Sequence, residues 1–161
     1  MAEPKGTADL CDEHADALQV CEPVFRPYGG HVAFSGQVST VRCFEDNSRV
    51  KEAVEGAGAG RVLVVDGGGS KRRALFGDKL GAAAVRNGWA GVIIHGCIRD
   101  SALLARMDLG VRALGTLPLR SETRGDGERD VPVRFAGATF HPDDYVYADE
   151  DGIVVSRVPL T

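Results

Sequence analysis

Three side chains suited to chemistry bracket one stretch of the sequence, GDKLGAAAVRNGWAGVIIHGCIRD, Gly77 to Asp100. Asp78 stands near its start and the pair Arg99-Asp100 ends it, with 20 residues, 79 to 98, between them. An Asp such as Asp100 can hold a hard divalent cation while water fills the remaining positions. Arg99 can fork onto an oxygen anion. A helix beginning at Asp78 would offer the N–H groups of Asp78, Lys79 and Leu80, and its positive end, to a carboxylate. Together these parts suit a small α-keto acid chelated to a metal. The alternative is a surface ion pair closing the end of a strand.

The surrounding elements decide whether these residues can meet. RVLVVDGGG carries a continuous apolar strand, Val62 to Val65, and AGVIIHG is the next. Strands apolar on both faces belong inside a covered parallel sheet. DKLGAAAVRNG between them reads as a helix stopped by Gly88. SALLARMDLG reads as a short helix ending at Gly110, and VRALGTLPL as a third strand. In such sheets ligands bind outside the carboxyl ends of the strands. Arg99 and Asp100 follow one such end, and Gly77-Asp78 opens the helix after the neighbouring strand.

Outside this centre, Thr7 can cap a helix through ADLCDEHADAL. VAFSGQVSTVRCF reads as strand interrupted at Gly36, and Asn47 or Ser48 caps the helix SRVKEAVEG. EPVFRPYGGH and RSETRGDGERD (120–130) read as irregular connections, and VPVRFAGATFHPDDYVYADEDGIVVS as antiparallel strands and turns. The expected architecture is one α/β domain over residues 1–161, with a parallel centre and antiparallel additions.

Composition narrows the function classes. The 161 residues are 43% hydrophobic and 26% charged, with a net charge of −4, as in soluble globular proteins. There is no basic stripe for nucleic acid, and mild acidity disfavours an anionic membrane surface. No apolar run reaches the roughly 20 residues of a spanning helix. MAEPKGTADLCDEH lacks the apolar centre of a secretory signal. The spacing of Cys11, Cys21, Cys43 and Cys97 suggests neither zinc nor disulfides, so free thiols in a reducing cytoplasm are expected.

Other motifs are weaker. VVDGGGS invites a nucleotide loop, but the third glycine of GxGxxG would fall at Arg72, so a tight turn packed against a close neighbour is favoured. The histidines at 14, 31, 95 and 141 are not at metal-ligand spacing. His95, near a strand end, is read as a hydrogen-bonded core residue before a site residue. Ser70 lies outside any GxSxG, and Asp149, Glu150 and Asp151 read as a charged turn.

The segments SGQVSTVRCFEDNS, GRVLVVDGGGSKRRAL, GWAGVIIHGCIRD, GERDVPVRFAGATF and YADEDGIVVS together resemble the RraA-like family. That family holds the bacterial regulator of ribonuclease E activity and the class II 4-hydroxy-4-methyl-2-oxoglutarate aldolases. The resemblance runs from about Thr7 to Ser156. It implies a β/β/α swivelling-domain fold and a ring-shaped homotrimer with active sites near the subunit boundaries.

Enzymatic members carry an Asp, twenty residues, then Arg-Asp, and that motif is complete here. The resemblance makes Asp100 the direct ligand of Mg²⁺ or Mn²⁺. It makes Asp78 the residue that holds water on the metal, and Arg99 the group that contacts substrate and stabilises an enolate. Gly77, Asp78, Lys79 and Leu80 would hold the substrate through their backbone. The implied activity is aldol cleavage releasing pyruvate, with oxaloacetate decarboxylation through the same enolate. The alternative is a non-catalytic regulator that binds ribonuclease E or an RNA helicase. The regulator branch loses the Asp of the Arg-Asp pair, which this chain retains. Longer aldolases take a further acidic residue from a neighbouring subunit; Glu150 is the candidate here. The resemblance lends no support to a menaquinone methyltransferase activity.

Overall fold

Val62, Leu63, Val64 and Val65 are without exposed surface, which requires that both faces of their strand be covered. The computed structural model describes residues 5–161, and it shows what covers them. In chain order the elements are α1 (Thr7–His14), a 3-10 turn (Ala15–Ala17), β1 (Leu18–Val20), β2 (Arg26–Pro27), β3 (Phe34–Arg42), α2 (Ser48–Glu55), β4 (Val62–Asp66) and α3 (Asp78–Arg86). There follow β5 (Gly91–Ile98), α4 (Ser101–Leu104), β6 (Gly110–Thr116), β7 (Glu128–Arg129), β8 (Val133–Phe135), β9 (Ala138–Phe140), β10 (Tyr145–Asp149) and β11 (Gly152–Ser156). The main sheet runs β1-β11-β10-β3-β4-β5-β6-β2, with β7 added to β3. β3, β4, β5 and β6 are parallel and the other pairings are antiparallel.

Alternation sorts the strand residues between two layers. On one face Val41, Leu63, Val65, Val92 and Ile94 pack against Val50 and Val54 of α2, Ala83 and Ala84 of α3, and Trp89. On the other, Val38, Val62, Val64 and Ile93 pack against the β8–β9 hairpin through Val133, Phe135 and Phe140. The result is a hairpin, a sheet and a helical layer, the β/β/α arrangement that the resemblance implies. Each fully buried valine or leucine side chain contributes roughly 1.5–3 kcal/mol relative to exposure, so two such layers hold the central strands rigidly under the site.

Several local readings change. Gly36 does not interrupt β3: a Cβ there would lie 2.3 Å from Gly60 O, so the glycine admits a close backbone approach inside a continuous strand. Thr7 is the first residue of α1 rather than its cap, and its N–H and hydroxyl both donate to Asp149, each at 2.7 Å. The helix after Asp100 stops at Leu104, and Gly110 opens β6. The 120–130 connection contributes β7, and EPVFRPYGGH contributes the two residues of β2. Among the described residues, no helix is long and apolar enough to cross a membrane.

Candidate active site

β5 carries one extra residue against β6 between Ile94 and Cys97, where its pairing passes from Ala113 to Gly115. Such a bulge bends a strand locally, and here it lies just before Arg99-Asp100. Asp100 then takes a left-handed backbone conformation, φ 58° and ψ 38°, which is uncommon outside glycine but tolerated by Asp. Its carbonyl accepts the N–H groups of Leu103 and Leu104, each at 3.0 Å. The turn thus starts α4 and leaves the carboxylate beside α3.

The N-terminus of α3 receives it. Gly77, at the cap position, has no side chain to satisfy the helix's first amides. Asp100 Oδ2 accepts the Asp78 N–H at 3.0 Å instead. A Cβ on Gly77 would lie 2.6 Å from that oxygen and 3.2 Å from Arg99 Cγ, so only glycine permits the approach. The Arg99 N–H donates to Phe76 O at 2.9 Å, and Arg99 Nη1 reaches Pro118 O at 3.5 Å. Arg99 Nε lies 3.9 Å from Asp100 Oδ2. The Asp78 N–H holds the Asp100 carboxyl below the usual carboxylate range; partial burial opposes this, and the Asp78 side chain and the Arg99 guanidinium add to the lowering.

The sequence-derived residues therefore meet. Gly77, Asp78, Lys79, Leu80, Arg99 and Asp100 all line one cleft of ≈ 240 Å³. The backbone amides differ from expectation in one respect. The Asp78 N–H is taken by Asp100 and the Lys79 N–H by Asp78 Oδ1 at 2.9 Å. Of the three, the Leu80 N–H alone meets no acceptor among the described residues. Besides Ala74 and Phe76, the lining includes residues that the sequence did not mark: Asn47 and Lys51 at the start of α2, and Arg120, Ser121 and Thr123 after β6. They are remote in sequence and carry no motif; the one available signal was that Lys51 and Arg120 are cations in an acidic chain.

The weaker motifs resolve structurally. A Cβ on Gly67 would meet Leu75 at 2.6 Å and His95 O at 2.9 Å, so the glycine turn is a packed corner. His95 stacks on Phe135 with centroids 5.0 Å apart. It lies outside the cleft lining, and, against the expectation of a hydrogen-bonded core residue, its buried Nδ1 meets no partner among the described residues. Asp149 caps α1 through Thr7, and Asp151 N–H also donates to it. Cys11, Cys21, Cys43 and Cys97 are free thiols, and burial pushes Cys21 and Cys43 up to about 12.

A family model described as "RraA-like: Aldolase/RraA" matches residues 7–155. This chain belongs to the RraA-like family. Among its RraA-like relatives is a protein of Laribacter hongkongensis described as "Putative 4-hydroxy-4-methyl-2-oxoglutarate aldolase". It is 59% identical over 96% of this chain and 97% of its own length. A protein of Alkalilimnicola ehrlichii with the same description is 61% identical, over 96% of each. Among solved structures, an S-adenosylmethionine:2-dimethylmenaquinone methyltransferase from Geobacillus kaustophilus superposes with a TM-score of 0.95, at 54% identity and 97% coverage of both chains. The RNA-processing inhibitor RraA from Thermus thermophilus superposes with a TM-score of 0.94 at 42% identity, over 98% of this chain and 95% of that one.

Proposed function

We propose that this RraA-like chain is a divalent-metal-dependent class II aldolase. It cleaves 4-hydroxy-4-methyl-2-oxoglutarate to pyruvate and decarboxylates oxaloacetate through a shared pyruvate enolate. The observation that carries the reading is the convergence of Asp78, Arg99 and Asp100 on one cleft, tied by the Asp78 N–H to Asp100. The aldolase descriptions of its relatives agree with it.

The donor set suits Mg²⁺ or Mn²⁺. Among the described residues no three or more His, Cys, Asp or Glu side chains cluster, and the cleft carries two carboxylates, Asp78 and Asp100. Mg²⁺ takes one or two carboxylates and keeps several waters; Asp100, with Asp78 beside it, provides these. The bound ion would stabilise negative charge developing on the keto oxygen.

The chain's own groups account for the remaining steps. Arg99 offers a planar fork to the enolate oxygen as the C3–C4 bond breaks and its electrons move towards the keto group. Asp78 organises removal of the C4 hydroxyl proton. A second pyruvate leaves as the ketone, and protonation at C3 releases the first. In oxaloacetate CO₂ leaves instead, and the same enolate forms. Among the ionisable groups of the cleft, Lys51, Asp78, Lys79, Arg99, Asp100 and Arg120, no histidine is available as a proton donor. A homotrimer in which a neighbouring chain adds the missing acid or base completes the site, and free thiols suit the cytoplasm.

Competition tests this. Pyruvate release from each substrate should require Mg²⁺ after EDTA treatment, and each substrate should inhibit turnover of the other with a Ki equal to its own KM. Independent, non-competing activities would remove the shared site. A second reading, a regulator of RNA processing, draws on the Thermus relative. It gains if the purified protein turns over neither substrate.

A further inference from the structure

We infer that Lys51 and Arg120 form a second anion subsite in the cleft, which selects α-keto acids that carry a distal carboxylate. The inference rests on the aldolase reading for the end of the substrate that Arg99 and Asp100 hold, and it assigns the other end. The cleft is lined by four cations, Lys51, Lys79, Arg99 and Arg120, against two anions, Asp78 and Asp100, in a chain whose net charge is −4.

Neither Lys51 nor Arg120 spends its charge within the fold. Among the described residues, neither side chain makes a hydrogen bond or an ion pair. The acid nearest Arg120 in sequence is already engaged: Glu122 lies 3.6 Å from Arg73 and 3.7 Å from Arg124. Both backbones are nevertheless fixed. Arg120 O accepts Arg73 Nη1 at 3.2 Å, and the following Ser121 N–H donates to Ala74 O at 3.0 Å. Lys51 follows Val50, which is fully buried, on α2. The two cations come from α2 and the segment after β6, whereas Asp78, Arg99 and Asp100 come from α3 and the end of β5. A ligand with an anionic group at each end bridges these two sets, and a ligand with a methyl at its far end leaves Lys51 and Arg120 uncompensated.

Calorimetric titration of the Mg²⁺-loaded protein with 2-oxoglutarate and 2-oxopentanoate tests this without turnover. The two ligands have the same carbon chain and differ in a distal carboxylate against a methyl, and neither has the C4 hydroxyl needed for cleavage. The wild type should bind 2-oxoglutarate at least about tenfold tighter, the size of one charge-assisted contact. That preference should weaken with added salt. Lys51→Met with Arg120→Met should abolish the preference, and Lys51→Arg with Arg120→Lys should keep it, all with unchanged thermal melts. With 4-hydroxy-4-methyl-2-oxoglutarate the methionine variant should raise KM more than it lowers kcat. Equal binding of the two ligands by the wild type, binding of neither, or a preference that survives in the methionine variant overturns the subsite. A wild type that prefers 2-oxoglutarate yet releases no pyruvate from 4-hydroxy-4-methyl-2-oxoglutarate keeps the subsite and overturns the aldolase reading.

Discussion

The Asp78 N–H donates to Asp100 Oδ2 at 3.0 Å, so a carboxylate from the end of β5 caps the helix that follows β4. A helix N-terminus favours negative charge. The contact therefore orients the carboxylate proposed to hold the metal and joins the two halves of the Asp…Arg-Asp motif.

Gly77→Ala tests how closely that contact is set. Gly77 has extended backbone, φ −157°, so alanine brings no backbone strain. Its Cβ would sit 2.6 Å from Asp100 Oδ2, and the carboxylate must swing away. Activity should fall about 10²-fold, the effect of a misplacement near 1 Å, while the melting temperature changes little. A variant with wild-type kcat would show that the carboxylate need not stand where it does.

Arg99→Lys keeps the charge but loses the planar fork. If Arg99 meets charge that develops in the transition state, kcat should drop about 10²–10³-fold, or roughly 2.7–4 kcal/mol. Steady-state kinetics with both substrates gives the answer. A change confined to KM would assign Arg99 to ground-state binding alone.

Asp149 ties the N-terminal helix to the sheet. Burial raises its pKa, but bonds from the Thr7 backbone, the Thr7 hydroxyl, Asp151 and Gly152 hold it below the usual value. A carboxyl with a depressed native pKa stabilises the fold fully above its unfolded pKa, about 3.9. That contribution is lost as pH falls through the native value. Asp149→Asn should cost about 1–2 kcal/mol at neutral pH, because one acceptor oxygen is replaced by a donor beside buried Thr7. Urea titrations across pH 2–7 should show a shallower acid limb in the variant. Superimposable limbs would place the acid sensitivity elsewhere.

How much of this was legible in the sequence depended on how local each signal was. Val62 to Val65 and the AGVIIHG run announced buried parallel strands, because two-sided burial leaves a continuous apolar segment. Asp78 and Arg99-Asp100 were legible because each sits at the edge of such an element. β2 and β7, two residues each, are too short to show any period. The true partner of Thr7 is Asp149, 142 residues away, and no capping pattern encodes it. Lys51 and Arg120 reach the cleft through α2 and a loop, so no spacing marked them. The bulge in β5 before Arg99 likewise depends on the register against β6.

Assembly can be measured directly. Three chains of 17.1 kDa in a closed cyclic ring should scatter light as about 51 kDa. Dilution that dissociates the ring should abolish turnover, because a neighbouring chain is proposed to supply the missing acid or base. A fully active monomer would return that group to a single chain.

The proposed role of Asp100 is to hold a divalent metal on which pyruvate release depends. Its most direct test is pyruvate release from 4-hydroxy-4-methyl-2-oxoglutarate by EDTA-treated protein, as Mg²⁺ is added back, for the wild type and Asp100→Asn. Asparagine can still accept the Asp78 N–H, so the variant should fold and melt like the wild type. The wild type should recover saturably with Mg²⁺, and the variant should stay at least about 10²-fold below it at every concentration, as loss of the ion's charge stabilisation requires. Wild-type turnover in EDTA, or an Asp100→Asn variant that recovers fully in low Mg²⁺, would show that pyruvate release does not depend on a metal held by Asp100.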